Sequence, residues 1–377
     1  MKNGQRNNQI TGSILLVAAV LLAIGSFYDL EISTALAGKW LPAGKYYTVN
    51  RFALFIEMSG FSLIYLFGAV AAAILFVAVA RTREGDRLFI FRAGDGKSWK
   101  LLKSALLMMS GAGCVYEAYS TVHEYFDYPQ RFLKEALLME ENGLPMTGNV
   151  IESASQTKEL VSSVPVTTWL QAALAALLAV LLILCFYRLR KEVVDRLVQV
   201  AVVILIAILF YTVMIEAIKG PAGRVRFRTM NVMGDFSEYT PWYVFRGSRV
   251  LSRTGELAAG TLPAAERFLG LSDTCKSFPS GHTYAAAVSY AALCLPDLFP
   301  DMRRTGRAAC FLVPTLLTVI VGLGRVMAGA HFLTDVVIGG LAAYLIVMVA
   351  RWGIRRLWSW SRQEDDHEKS WRTHIIC

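Results

Sequence analysis

Lys276-Ser277-Phe278-Pro279-Ser280-Gly281-His282-Thr283 sets a turn, a hydroxyl, a bare glycine and a histidine at the threshold of the apolar run from Tyr284 to Leu293. The proline favours an extended approach and Ser280 is a good N-cap, so the first unpaired helical N–H groups are expected at Gly281, His282 and Thr283. Such a helix end favours an anion, and Gly281 lets an oxygen come close to the backbone. Taken alone, the stretch is better explained by a capping serine beside a surface histidine. Two further constellations change that reading. Lys219-Gly220-Pro221-Ala222-Gly223-Arg224-Val225-Arg226 lies upstream, and Arg325-Val326-Met327-Ala328-Gly329-Ala330-His331-Phe332-Leu333-Thr334-Asp335 lies downstream, each at the end of an apolar run. Together they supply Lys219, Arg226 and Arg325 as cations, His282 and His331 as proton-transfer or nucleophilic groups, and Asp335 as a carboxylate that could orient a histidine. Phosphoryl transfer needs that inventory: fixed donors for the charge on the transferring oxygens, an attacking group and a proton donor for the leaving oxygen. Asp335 follows His331 by four residues, one turn away if the segment is helical. Arg224 and Arg228 are alternates within the first constellation. Glu216 either positions Lys219 or is a solvated charge at a helix end.

These residues resemble the three motifs of the type 2 phosphatidic acid phosphatase superfamily, which includes membrane lipid phosphatases, glucose-6-phosphatases and vanadate-dependent haloperoxidases. The first motif is Lys, six residues, then Arg-Pro; Lys219 and Arg226 have that spacing, with Phe227 in place of proline. The second, Pro-Ser-Gly-His, is intact from Pro279 to His282. The third, Ser-Arg, five residues, His, three residues, Asp, is matched by Arg325, His331 and Asp335, with Gly324 in place of serine. The resemblance covers roughly Leu197 to Trp358. It implies that His331 attacks phosphorus, that His282 protonates the leaving oxygen and later activates water, and that Lys219, Arg226, Arg325, Ser280 and Gly281 bind the phosphate oxygens. It also implies a metal-independent reaction without a cofactor and a six-helix phosphatase-like core.

Elements that could position such a site are set by the composition. With 55% hydrophobic and only 18% charged residues, the chain reads as a polytopic membrane protein, and its net charge of +9 as basic loops on the cytoplasmic side, not as nucleic-acid binding. Apolar spans are expected at Ile10–Tyr28, Met58–Ala80, about Leu101–Val122, Leu160–Tyr187, Leu197–Ile215, from Ser280 to Asp297, Ala308–Gly324 and Val336–Ala350. The third is interrupted by Glu117 and followed by an acid-rich external loop that includes Glu124, Asp127, Glu135, Glu140 and Glu141. Ala35-Leu36-Ala37 could be a signal-peptidase site, but the preceding apolar run is long for a signal peptide, and a retained helix is the reading taken. Basic turns after the second, fourth, sixth and eighth spans then put both termini inside and all three motifs outside. The long loop from Gly220 to Phe278 carries many arginines on that outer face, as an external phosphate site would need, and its Tyr239, Trp242, Tyr243 and Phe245 suit the bilayer interface.

The expected architecture is an all-α, polytopic membrane helix bundle of about eight spans: N-terminal spans and an external loop over 1–159, a core carrying the motifs over 160–358, and a cytoplasmic tail over 359–377. Six scattered cysteines imply no disulfide framework, and no metal-ligand spacing is present; His123, His367 and His374 stand alone. A site at the membrane surface suits a phosphate carried by a lipid, such as a polyprenyl diphosphate, phosphatidic acid or phosphatidylglycerophosphate, in a cell membrane. A lipid phosphotransferase with the same intermediate is the nearest alternative. A transporter would also explain intramembrane charges, but here the charges gather at one face. A haloperoxidase would hold vanadate in the same residues, but the relatives of that kind are soluble.

Overall fold

A computed structural model describes residues 2–41, 46–94, 96–141, 168–247 and 274–375, with side chains at 2–10, 92, 129–136, 138–141, 214, 216 and 360–375 excepted. Arg249, Arg253 and Arg267, three of the arginines of the long loop, and residues 160–167 of the fourth expected span lie outside the described residues. Helices α1 (Lys2–Ala37), α2 (Arg51–Ser59), α3 (Ser62–Arg81), α4 (Lys97–Glu141), α5 (Thr168–Tyr187) and α6 (Lys191–Phe210) lead to a π-helical turn at Tyr211–Ile215. The short helices α7 (Glu216–Ala222) and α8 (Phe227–Met233) follow. Next come α9 (Gly281–Ala287), a 3-10 stretch Val288–Cys294, α10 (Leu295–Leu298), α11 (Arg304–Met327) and α12 (Leu333–Ile375). The described strands are a small hairpin, Arg87–Leu88 against Phe91–Arg92, between α3 and α4.

Six helical segments are long and apolar enough to cross a membrane: Thr11–Ala37, Arg51–Arg81, Thr168–Tyr187, Lys191–Met233, Arg304–Met327 and Leu333–Ser359. Two of the eight expected spans are not among them. The stretch after Ser280 is divided into α, 3-10 and α pieces, each too short to cross alone. In α4 the apolar run is broken by Glu117, and the helix then continues to Glu141, so the acid-rich segment after Val122 is helical where a loop is expected. Acidic side chains do not break a helix, since Glu loses little rotamer freedom there.

The core explains the order of packing. α3, almost free of charge, lies against α4 and α6, while α9 is surrounded by α11 and α12. Ala285, Ala287, Val288 and Ala291 pack with Val203, Ile204, Ala207, Tyr344 and Val347 in one apolar cluster. The small alanines let α9 sit deep, and the Tyr284 hydroxyl is satisfied by the Ala207 carbonyl at 2.8 Å. At the far end from the motifs, Lys191 pairs with Asp86 (3.2 Å), Arg196 donates to Leu298 O (2.9 Å) and Arg351 pairs with Asp297 (2.7 Å). The basic turns therefore share one end of the bundle and the three motifs share the other.

The N-terminal spans are part of the same body. α1 packs on α12 and α11, and α2 packs on α11. α1 has non-helical backbone at Tyr28 (φ −126°, ψ 15°) and then resumes to Ala37, so the expected span is longer by about two turns. Ala37, the end of the Ala35-Leu36-Ala37 stretch, is fully buried with Phe227 and Phe332.

Candidate active site

Each motif is delivered by the end of a helix. The π-helical turn after α6 leads into α7 and places Lys219 one turn from its end; Gly223, at φ 55°, stops the helix and releases Arg224 to Arg226 as extended chain. Ser280 caps α9 as the sequence predicts, with extended backbone (ψ 110°) and its Oγ accepting from Thr283 N at 3.4 Å. Arg325 lies in the last turn of α11, and His331 in the turn before α12. The glycine of the second motif has a steric reason. A Cβ on Gly281 would stand 2.8 Å from the Tyr211 hydroxyl oxygen and 3.4 Å from Lys219 Nζ, so the ammonium is at the helix N-terminus, where an anion would bind.

His331 is 2% exposed, and its Nδ1 lies within hydrogen-bond distance of the Ser277 carbonyl. A carbonyl only accepts, so Nδ1 carries the proton and Nε2 the lone pair. The Asp335 carboxylate, expected to hold that ring, is 3.8 Å from Nδ1, too far for a hydrogen bond. It instead accepts from Ser277 Oγ (2.5 Å), Arg224 Nη1 (2.5 Å) and Phe332 N (2.9 Å). Asp335 thus fixes the segment whose carbonyl holds the histidine, one step removed from the expected contact. Burial is the largest cause acting on the His331 pKa and brings it down to about 3; the Asp335 carboxylate opposes this, and the Arg226 and Arg325 charges push further down. The ring is neutral at ordinary pH.

His282 donates from Nε2 to the Glu57 carbonyl (3.2 Å), and its ring lies 5.5 Å from that of Phe61. Arg226 gives Nη1 to Ala330 O at 2.9 Å, and Arg325 Nη1 lies 3.0 Å from Glu57 Oε1. Of the two alternates, Arg228 bonds Glu57 at 2.7 Å, while Arg224 bridges Asp335 and Asp29, the latter at 2.9 Å. Both are buried and held by carboxylates, so they organise the site from behind. The side chain of Glu216 lies outside the described residues.

Asp29 and Glu57 were not singled out by the sequence. Each is an acid at the edge of a charge-free run, a signal that also fits an ordinary interfacial charge. Asp29 accepts from Thr334 N (3.0 Å) and from the Thr334 hydroxyl as well as from Arg224. Glu57 collects Arg228 and Arg325 through its side chain and His282 through its backbone. The cations Lys219, Arg224, Arg226, Arg228 and Arg325 outnumber the carboxylates Asp29, Glu57 and Asp335 by two, close to the charge of a phosphate monoester at pH 7.

The two motif departures have packing reasons. Phe227 begins α8, where proline is also tolerated, and is buried against Ala37, Leu41, Met230 and Phe332. At Gly324 an added Cβ would lie 2.7 Å from Ile56 Cβ, which leaves no room for a serine. The interfacial aromatics are divided: Trp242 stacks on Phe278 and donates to Ser26 Oγ at 2.9 Å, Tyr239 meets Phe332 edge-on, and Tyr243 and Phe245 are exposed. His123, expected to be isolated, bonds Gln171 at 3.0 Å between α4 and α5; the side chains of His367 and His374 are outside the described residues. Among the described residues no group of three or more His, Cys, Asp or Glu could hold a metal ion.

Residues 237–359 match the family model of the PAP2 superfamily, a stretch that contains the second and third motifs. No curated protein and no solved structure matches the chain.

Proposed function

We propose that the chain, which belongs to the PAP2 superfamily through residues 237–359, is a membrane-embedded, metal-independent lipid phosphate phosphatase working through a phosphohistidine. The observation that carries the reading is the buried, neutral His331, whose Nδ1–H is held by Ser277 O among arginines, with Nε2 left as a nucleophile.

His331 Nε2 attacks phosphorus, the bond to the leaving oxygen breaks, and His282 gives that oxygen its proton. Since His282 Nε2–H is bonded to the Glu57 carbonyl, the ring can act as the acid only from Nδ1, once a second proton has been taken up there. His282 then takes a proton from water as the water attacks the phosphohistidine, releasing phosphate and restoring His331. Lys219, Arg226, Arg325, Ser280 Oγ and Gly281 N–H bind the phosphoryl oxygens, on which charge accumulates.

The substrate is a phosphomonoester or diphosphate of a lipid, a reading supported by the place of the site at one end of helices long and apolar enough to cross a membrane. In this arrangement α4 and the segment beginning at Ser280 complete a bundle of eight spans in a cell membrane. Both termini are then cytoplasmic and the site extracytoplasmic, a sidedness supported by the basic turns at the opposite end.

The test is to incubate purified protein with radiolabelled polyprenyl diphosphate, phosphatidic acid and phosphatidylglycerophosphate in the presence of a chelator. Free labelled phosphate from at least one is expected. Label recovered in a second lipid would instead identify a phosphotransferase. No transfer from any of them, in protein that carries phosphate across a vesicle wall, would overturn the reading in favour of a transporter.

A further inference from the structure

We infer that Asp29, on the first helix and outside the family match, is a positioning residue for the nucleophile; the inference rests on the reading of His331 given above. Four buried links join them. The Asp29 carboxylate holds Arg224 Nη2 at 2.9 Å, and Arg224 Nη1 reaches Asp335 Oδ1 at 2.5 Å. Asp335 Oδ2 takes the Ser277 hydroxyl at 2.5 Å, and the Ser277 carbonyl holds His331 Nδ1. Every member is nearly inaccessible: Asp29 is 1% exposed, Arg224 1%, Asp335 0% and Ser277 0%.

Asp29 also acts from the other side of Asp335, since it accepts both the amide and the hydroxyl of Thr334, the residue immediately before it. The Thr334 hydroxyl in turn accepts Arg224 Nη1 at 2.9 Å, closing a ring of Asp29, Arg224 and Thr334 around the first turn of α12. α1 comes close enough to do this only because Gly25 has no side chain: a Cβ there would be 2.6 Å from Thr334 Cγ2. In a low-dielectric interior each bond polarises the next, and no other carboxylate among the described residues contacts Arg224 beyond Asp29 and Asp335. Without Asp29, the Arg224 guanidinium turns wholly on Asp335, Thr334 loses its acceptor, and the carbonyl that fixes the His331 ring loses its reference.

None of the phosphate-binding side chains proposed above is bonded to Asp29. Its removal should therefore slow attack and leave binding alone. In full-length purified protein, Asp29→Asn is expected to keep KM while the rate of phosphoenzyme formation falls by up to about 10²-fold, the cost of a misplacement near 1 Å. The double variant with Asp335→Asn should lose little beyond Asp335→Asn alone, because Asp29 reaches the histidine through Asp335. Folded Asp29→Asn with an unchanged rate, a higher KM at unchanged kcat, or multiplying losses would overturn the inference. If Asp29→Asn does not fold, Thr334→Val keeps both carboxylates and removes one arm of the ring; its rate should fall at constant KM, and an unchanged rate would be as damaging. A readout independent of turnover is the nitrogen-15 signature of His331, identified by its absence in His331→Ala. Asp29→Asn should broaden it or mix its tautomers, and an unperturbed Nδ1–H signal would overturn the inference. Phosphoenzyme on His331→Ala would instead refute the nucleophile assignment.

Discussion

The two histidines differ in how they are held, and so in what their loss should do. On the proposed assignment His331→Ala removes the attacking nitrogen, and no phosphoenzyme should form with any leaving group. His282→Ala removes a proton donor, which matters less when the leaving group is already good. With an activated aryl phosphate, the His282 variant should therefore retain acid-labile phosphoenzyme that the His331 variant lacks. General acid assistance of about 10²–10⁴-fold makes the contrast measurable, and label on the His331 variant would move the nucleophile to His282. The burial of His331 also has a pH consequence. Its folded pKa of about 3 lies below the ordinary value near 6.5, so below that value the unfolded chain takes up a proton that the folded chain refuses. Its contribution to stability is present above about pH 6.5 and declines as the pH falls towards 3. In the ligand-free protein at pH 5, nitrogen-15 spectra should show a neutral imidazole protonated on Nδ1; an imidazolium at that pH would contradict the buried setting.

At the scale of elements, the site depends on close approaches of helices more than on any loop. α2 meets α11 where Ile56 faces Gly324, and α9 meets the π-helical turn and α7 where Tyr211 and Lys219 face Gly281. Gly324→Ser, which would supply the family's usual residue, should therefore harm this chain. Overpacking of that kind typically costs about 1–3 kcal/mol, and the thermal midpoint should fall. Pairing it with Ile56→Ala should recover stability, and a Gly324→Ser protein of unchanged stability would show that the contact is slack. Glu57 is the electrostatic counterpart of that contact, since it faces Arg228 at 2.7 Å and Arg325 at 3.0 Å. Breaking a buried pair by removing one partner costs about 3–5 kcal/mol. Glu57→Gln should lower stability and weaken inhibition by vanadate, because Arg325 loses the group that aims it. Unaltered vanadate inhibition would mean that Arg325 is placed by its helix alone.

For the whole molecule, the division of the bundle into a basic end and a motif end makes sidedness testable. Right-side-out vesicles should hydrolyse added lipid phosphate without permeabilisation and in the presence of a chelator. Activity that appears only after permeabilisation would invert the topology, and loss with chelator would refute the metal-independent mechanism. α1 and α2 each place a buried carboxylate against the helices that carry the motifs. Asp29 ties α1 to the site, and Trp242 adds a second tie through Ser26.

The three motifs and six of the eight expected spans were legible in the sequence, because both are written in local terms. Pro279 to His282 encodes an N-cap with a glycine behind it, the spacing from Arg325 through His331 to Asp335 fits one turn and the start of a helix, and apolar runs flanked by basic turns mark membrane crossings. What only the tertiary structure decided are relations between residues far apart in the chain. Asp29 is 195 positions from Arg224, and Glu57 171 from Arg228. No periodicity connects such pairs. The same holds for Asp335: its four-residue spacing from His331 suggested a direct contact, but Ser277, 54 positions from the histidine, comes between them in space. A buried arginine must find carboxylates, and a buried imidazole N–H must find a carbonyl, wherever the fold brings one within reach. Composition states that need, and packing alone chooses the partner.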